Sequence, residues 1–544
     1  GEAGIGKSRL AEELATWVSR QGTRTAHTRA YAAEGALAYA PVAEWLAAES
    51  LRANWQGLDT VWLTELARIF PELLVEQPHV PPPAPMAESW QRKRLFEALA
   101  RVLLVDNRPL LLVLDDLQWC DHETLEWLHY LLRYAPQAPL LVAGTVRPEE
   151  VSNEHPLTTL LLDLRSGGQV TELELGPLNL VETAALAAQV AGQTFAPDVG
   201  QRIYQETAGN PLFVVETVRT QLSGGDGEWG SGRKPASSPL LPDPSTSLPP
   251  RVYAVIQRRL LQLSPAAQAL ASLAAVVGRS FTFPVLAQAS DLAEDTLVRG
   301  LDELWQRRIV RERGVEAYDF SHDRIRDVAY TTISLVHRRI LHRRLAQALE
   351  IIHATNLDLV SGQVAVHYEQ AGLLENAIQC YQQAAEVARR IGAYDEATAH
   401  LKHGLALLDT LPETAEHLQQ AMTQLIMLGS VVSATQGHAA LEVGEIYTKA
   451  LELCQRVGDK VQTFAVRQGL RAFYGHRGAW TTAHQLAEEN LALAQELDEP
   501  ELLQYAHMGM GMVLHELGKH DLVQAHLKQV IHQSTTQPRH WDHL

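Results

Sequence analysis

The sequence predicts a chain in three folded parts: an α/β domain built on a P-loop, doubly wound parallel sheet, then a winged-helix domain, then a C-terminal α-solenoid of tetratricopeptide type. Three observations carry this. Residues 1–8, Gly-Glu-Ala-Gly-Ile-Gly-Lys-Ser, satisfy G-x-x-x-x-G-K-[ST], a loop that leads into a helix around a phosphate. Across the first 220 residues, short unbroken apolar runs alternate with helix-period stretches, as in a parallel sheet covered on both faces. From about residue 360, similar helical blocks restart at Gly392, Gly437, Gly478 and Gly518, which lie 45, 41 and 40 residues apart.

The opening loop is legible residue by residue. Gly1, Gly4 and Gly6 lack a Cβ, so the backbone can curl and aim N–H groups at phosphate oxygens. Ile5 lies within the curl, and a helix is expected from about Lys7 through Arg9 to Leu14, its positive dipole end toward the same anion. Lys7 would reach the β- and γ-phosphates of a nucleoside triphosphate, and Ser8 would ligate Mg²⁺. The strand that should enter such a loop is not in the sequence, which begins on the loop's first glycine without a Met. The expectation is a piece of a longer protein, with a gap at the centre of its sheet.

Further along, Thr25–Tyr31 reads as a strand and Glu88–Leu104 as an amphipathic helix carrying Trp90, Leu95, Phe96, Leu99, Val102 and Leu103. Leu110–Asp115 is an apolar run ending in acid, the pattern of a central strand buried on both faces. Asp121–Tyr134 is the next helix, Leu140–Thr145 another buried strand, and Val170–Leu175 a weaker one. Asn179 with Glu182 three residues on is a capping pair. Ser223–Pro250 is rich in Gly, Ser and Pro and reads as a flexible linker, with Trp229 inside it. Three short helices at about 265–277, 284–290 and 294–306, then β segments Ile309–Arg313 and Ala317–Phe320 around Gly314, make a winged-helix pattern. The expected boundaries are 1–222 for the P-loop domain with its helical lid, 223–250 for the linker, 251–355 for the winged helix and 356–544 for the repeats.

Composition narrows the function. The 544 residues are 46% hydrophobic and 20% charged, ordinary for core-forming domains. The net charge of −18 argues against broad nucleic-acid or anionic-membrane affinity, leaving only a local basic face for either. Cys120, Cys380 and Cys454 are too far apart for a metal set and read as buried free thiols in a reducing, cytoplasmic setting. No apolar run approaches the ~18 residues that span a bilayer.

A phosphate loop needs a metal-holding acid on a neighbouring strand, and Leu110–Asp116 supplies one. Asp115 would hold Mg²⁺, directly or through water, and Asp116 would polarise the attacking water. Arg147, at the end of the following strand, would sense the γ-phosphate or stabilise its charge.

Three runs, Leu-Val-Leu-Asp-Asp-Leu-Gln-Trp-Cys-Asp (112–121), Gly-Thr-Val-Arg-Pro-Glu-Glu (144–150) and Gly-Asn-Pro-Leu-Phe (209–213), resemble the STAND class of signalling ATPases. The likeness is to its bacterial branch, related to AAA+ ATPases and found in large LuxR-type regulators and beside adenylate/guanylate cyclase or Ser/Thr kinase domains. It extends over nearly the whole chain. The resemblance implies that Pro211 lies against the nucleotide base and that His322, in Phe320-Ser-His-Asp323, contacts the ADP phosphates. It further implies ATP/ADP and Mg²⁺ as ligands, slow regulatory hydrolysis, a closed ADP state and an open, self-associating ATP state. A protein or small-molecule signal would arrive through the repeats. Two alternatives stand beside it: a winged helix that reads DNA through Arg307, Arg308, Arg311 and Arg313, and a catalytically dead scaffold acting through its repeats.

Overall fold

The computed structural model describes residues 2–30, 38–84, 86, 89–106, 108–152, 155–223, 250–313 and 317–536. Gly1, the body of the expected linker with Trp229, and Gly314 lie outside the described residues. The chain divides into two compact units, 1–57 with 101–373, and 58–100 with 374–544.

The first unit contains a three-stranded parallel sheet in the order β1 (Arg24–Arg29), β2 (Leu110–Asp115), β3 (Leu140–Gly144). In the register, Arg29 lies beside Asp115 and Leu114 beside Gly144, so the functional ends of the strands align. All six residues of β2 are buried, as its apolar run requires. The helix Lys7–Arg20 covers the sheet through Ala11, which packs on Leu111 and Val113. Helix His122–Tyr134 starts from an Asp121 cap that accepts the Thr124 N–H at 2.8 Å, and Asn179 with Glu182 forms a complete capping box.

Two expected strands come out differently. Leu140–Thr145 was expected to be buried on both faces, but β3 is an edge strand with Leu141 57% exposed. Val170–Leu175 forms no strand, and its Leu173 is 79% exposed. The cause is shared: a strand needs a ladder partner, and among the described residues nothing pairs on the outer side of β3.

The segment expected to be a winged helix folds as helices Pro265–Val277, Phe283–Ala289 and Glu294–Gln306 with an antiparallel sheet. That sheet is β4 (Ser280–Thr282), β6 (Ala317–Phe320) and β5 (Val310–Glu312), in that order. The short strand β4 has no counterpart in the sequence reading. Gly300 lets two of the helices approach closely, since a Cβ there would meet Leu270 at 2.6 Å. Helix Asp323–Thr331 follows β6 directly and returns its first turn toward the parallel sheet.

In the second unit, helices pair in succession: Leu374–Arg390 with Tyr394–Leu408, Ala415–Gln436 with Leu441–Val457, Lys460–His476 with Trp480–Leu497, and Pro500–Glu516 with His520–Thr536. Gly392, Gly437, Gly478 and Gly518 all have positive φ, a backbone that glycine adopts freely between helices. A second glycine series, Gly429, Gly469 and Gly509, makes room inside the stack. A Cβ at Gly429 or Gly469 would strike the Tyr447 ring at 2.6 and 2.4 Å. The segment 58–100 belongs to this unit: Tyr394 donates its hydroxyl to the Met86 carbonyl at 3.1 Å, and Gly392 leaves space for the Met86 side chain.

Candidate nucleotide-binding site

The loop opens helix Lys7–Arg20 on Gly6, at φ 104° and with no side-chain cap. An uncapped first turn leaves donors aimed at an anion. Gly4, at φ 84°, packs on the 209–213 motif: a Cβ there would sit 3.0 Å from both Asn210 and Leu212. The Leu212 N–H donates to the Gly4 carbonyl at 3.3 Å, and the Asn210 amide donates to the Ala3 carbonyl at 3.1 Å. Pro211 itself is the first residue of helix Pro211–Ser223. Ile5 is buried beneath the loop, while Arg9 is exposed and pairs with Glu12 and Glu13 on its own helix.

The loop and the acidic strand end meet. Ser8 Oγ donates to Asp115 Oδ1 at 3.0 Å, and Thr145 donates to the same oxygen. Asp116 stands at φ 61°, a left-handed backbone that costs a non-glycine residue about 1–3 kcal/mol and clusters at functional sites. Its N–H is received by Thr145 Oγ1 at 2.9 Å, and Gln118 Nε2 donates to its Oδ1 at 3.0 Å. Gln118 also accepts the Arg147 N–H at 3.1 Å, so one amide ties Asp116, just past β2, to the segment that follows β3. The Arg147 guanidinium lies 4.6 Å over the Trp119 ring. Lys7 Nζ donates to the Glu2 carbonyl at 2.8 Å. Burial, then Arg147, holds its ammonium below the ordinary lysine value.

Three arginines and three aspartates close over this floor. Arg29, at the end of β1, lies 3.1 Å from Asp115, donates from Nε to Asp116 at 2.8 Å, and comes within 4.0 Å of Asp323. Arg147 Nη2 meets Asp323 at 2.5 Å and Asp116 at 3.3 Å, while Nη1 meets Glu150 at 3.0 Å. Arg279 binds the other oxygen of Asp323. Burial pushes both Asp115 and Asp323 up. For Asp115 the Arg29 charge and the hydrogen bonds from Thr145 and Ser8 outweigh it; for Asp323 the Arg279 and Arg29 charges do, so both carboxyls stay below the usual range.

Arg29, Arg279, Thr145, Gln118 and Asp323 were not singled out as site residues from the sequence. A charged residue at a buried strand end was the one available signal for Arg29. His322 caps helix Asp323–Thr331, its Nδ1 accepting the Arg324 N–H at 3.2 Å. Burial lowers that imidazole to about 3, so it is neutral at pH 7. Of the four arginines considered for DNA, Arg311 pairs with Glu12 at 3.2 Å and Arg313 with Glu44 at 2.9 Å. Both are thus engaged by the parallel-sheet domain rather than offered as a basic face. The three cysteines are buried and free. Among the described residues, no helix is long and apolar enough to cross a membrane, and no group of His, Cys, Asp and Glu has metal-ligand geometry.

Comparison with known proteins adds the following. Residues 1–143 match the family model described as an AAA ATPase domain. A protein of Rhizobium meliloti (strain 1021), described as uncharacterized, is 26% identical over 457 residues, 80% of this chain. The chain spans 41% of that relative's length. Among solved structures, the STAND protein with a tetratricopeptide repeat sensor from Pyrococcus horikoshii is 14% identical, with 98% of this chain and 80% of the other covered and a TM-score of 0.40. BtubC from P. vanneervenii is 15% identical over 39% of this chain and 98% of its own, with a TM-score of 0.28. The apo form of RapI is 11% identical over 52% of this chain and 78% of its own, also at 0.28. The chain therefore carries an AAA ATPase domain over residues 1–143, followed by helical repeats, the build of the STAND-class ATPases that its motifs resemble.

Proposed function

We propose that this chain is an ATP-binding, slowly hydrolysing signal switch. Nucleotide is held between the loop at residues 1–8 and the winged-helix domain, and the repeats receive the signal. The observation that carries the reading is the sharing of Arg147 between Asp323, 176 residues away, and Asp116. Arg147 stands at the strand end expected to face the γ-phosphate, so a carboxylate and a phosphate compete for one guanidinium.

In this reading the uncapped turn at Gly6 and the Lys7 ammonium bind phosphate oxygens, and the Asn210–Leu212 contact fixes the loop's curvature. Ser8 and Asp115, already 3.0 Å apart, fit a divalent cation, an oxygen donor set of the kind magnesium prefers. Bound Mg²⁺ would neutralise charge between the phosphates. Asp116 would orient water toward the γ-phosphorus, but its pairing with Arg29 and Arg147 keeps its oxygens occupied, so turnover is slow until the γ-phosphate draws a guanidinium away. Moving such a switch from 1:99 to 99:1 requires a differential affinity of about 5.5 kcal/mol.

Calorimetry tests the reading. Lys7→Ala should reduce ATP affinity by at least about tenfold, since a charge-assisted contact contributes about 1.5–3 kcal/mol. Unchanged affinity would remove the loop from the site. His322→Ala should speed ADP release, and an unaltered off-rate would confine His322 to capping its helix.

A further inference from the structure

Arg471 lies in helix Lys460–His476, in the second unit, and is partly buried. Its Nε donates to Gln468 Oε1 at 2.9 Å, and Gln468 is itself anchored by donating to the Tyr505 carbonyl at 3.1 Å. Gly509, on the facing helix, makes the space: a Cβ there would lie 3.0 Å from Arg471 Nε and 3.1 Å from Gln468 Oε1. Along the series, Gly429 and Gly469 make room for the one Tyr447 ring, and Gly509 makes room for a guanidinium.

The two terminal nitrogens of Arg471 have no partner among the described residues and are not sealed from solvent. Among the described residues no carboxylate offsets the cost of its burial, which lowers it below the ordinary guanidinium value. Arg29 and Arg147, by contrast, are raised by the acids around them. A shortage of acids is not the reason, because the chain has 64 Asp and Glu against 46 Lys and Arg. The guanidinium is therefore held by one nitrogen, its parallel N–H pair is free, and its charge is uncompensated, which is the arrangement that receives a carboxylate in bidentate fashion. The neighbouring side chains His438 and His476 are exposed, with ring centroids 4.9 Å apart, so an extended ligand has access.

We propose that the repeats bind an acidic peptide segment and that Arg471 is the residue that takes its carboxylate. This rests on the reading of the repeats as the receiving part of the switch, and it names the chemistry received.

The test is fluorescence anisotropy with a dye-labelled peptide of alternating glutamate and leucine, titrated with the full chain at low salt and without nucleotide. Binding is expected, and Arg471→Gln should weaken it about tenfold or more, as loss of a charged hydrogen-bond pair predicts. Arg471→Lys should restore part of it, and Arg467→Gln, which removes a partner of Glu489 instead, should leave it unchanged. An amidated C-terminus on the peptide that abolishes binding would assign the carboxylate to the chain end; retained binding would assign it to glutamate. Equal binding of a peptide with glutamine for glutamate and an amidated end, equal binding by Arg471→Gln, or no binding by the parent chain overturns the proposal. Because nucleotide is absent, failure here leaves the switch reading to its own test at Lys7.

Discussion

Asp323→Asn keeps the shape of the side chain and removes one negative charge from the centre of the ion cluster. Breaking a buried ion pair by removing one partner costs about 3–5 kcal/mol. Arg147 would retain Asp116 at 3.3 Å and Glu150 at 3.0 Å, and Arg29 would retain Asp115 at 3.1 Å, so neither is stranded. Arg279 is different. Asp323 is its ion-pair partner among the described residues, and its Nε is already buried without a hydrogen bond. The loss falls on that one guanidinium, which places the expected cost near the low end, about 3 kcal/mol. For a unit of this size that is a fall of about 4 °C in Tm by scanning calorimetry. The double variant Asp323→Asn with Arg279→Met should recover at least half of the fall, because the stranded charge is gone. The pH dependence has a definite sign. The Asp323 carboxyl is depressed in the folded protein, so its contribution is complete above about pH 4 and fades as pH falls toward the folded value. The gap between parent and variant should shrink over that window. A Tm within a degree of the parent at neutral pH, or a double variant no better than the single, would refute the argument.

Other consequences are as specific. Gly209 has φ 74° and a Cβ there would lie 2.0 Å from the Leu178 carbonyl oxygen, so Gly209→Ala should cost about 3 kcal/mol or more in urea unfolding. Gly469→Ala should cost about 1–3 kcal/mol through overpacking against Tyr447, again read by urea unfolding. His342 and His367 share a 2.9 Å contact, and burial lowers them to about 4 and about 3. Their stabilisation is complete above about pH 6.5 and declines with acid, by about 2 kcal/mol per imidazole at pH 5; a paired His342→Phe, His367→Leu variant should show a flatter stability–pH curve. Duplex DNA should show no salt-dependent binding to this chain by gel shift, since Arg311 and Arg313 are paired at home.

What the sequence disclosed, and what it withheld, divides along a physical line. The loop, Asp115 and Asp116 were legible because their meaning is local: glycine freedom, an apolar run, an acid at its end. The repeat period was legible because glycine marks each turn. Arg29, Arg279 and Asp323 carried no such mark. Each is an ordinary charged residue in sequence, and only the fold brings positions 29, 147, 279 and 323 into one buried cluster. The motif around His322 drew weight toward its imidazole, whereas the carboxylate beside it makes the contacts with Arg29, Arg147 and Arg279. The stretch Val170–Leu175 has strand-like residues, but propensity does not make a ladder without a neighbour.

The membership of residues 58–100 in the same body as residues 374–544 has a practical result for anyone dividing this chain. A cut near position 373 looks natural on paper, yet it would separate Tyr394 from the Met86 carbonyl it bonds and Gly392 from the methionine it admits. Swapping the repeats between relatives would require moving two stretches of gene together, and a graft of the later one alone should yield an insoluble product.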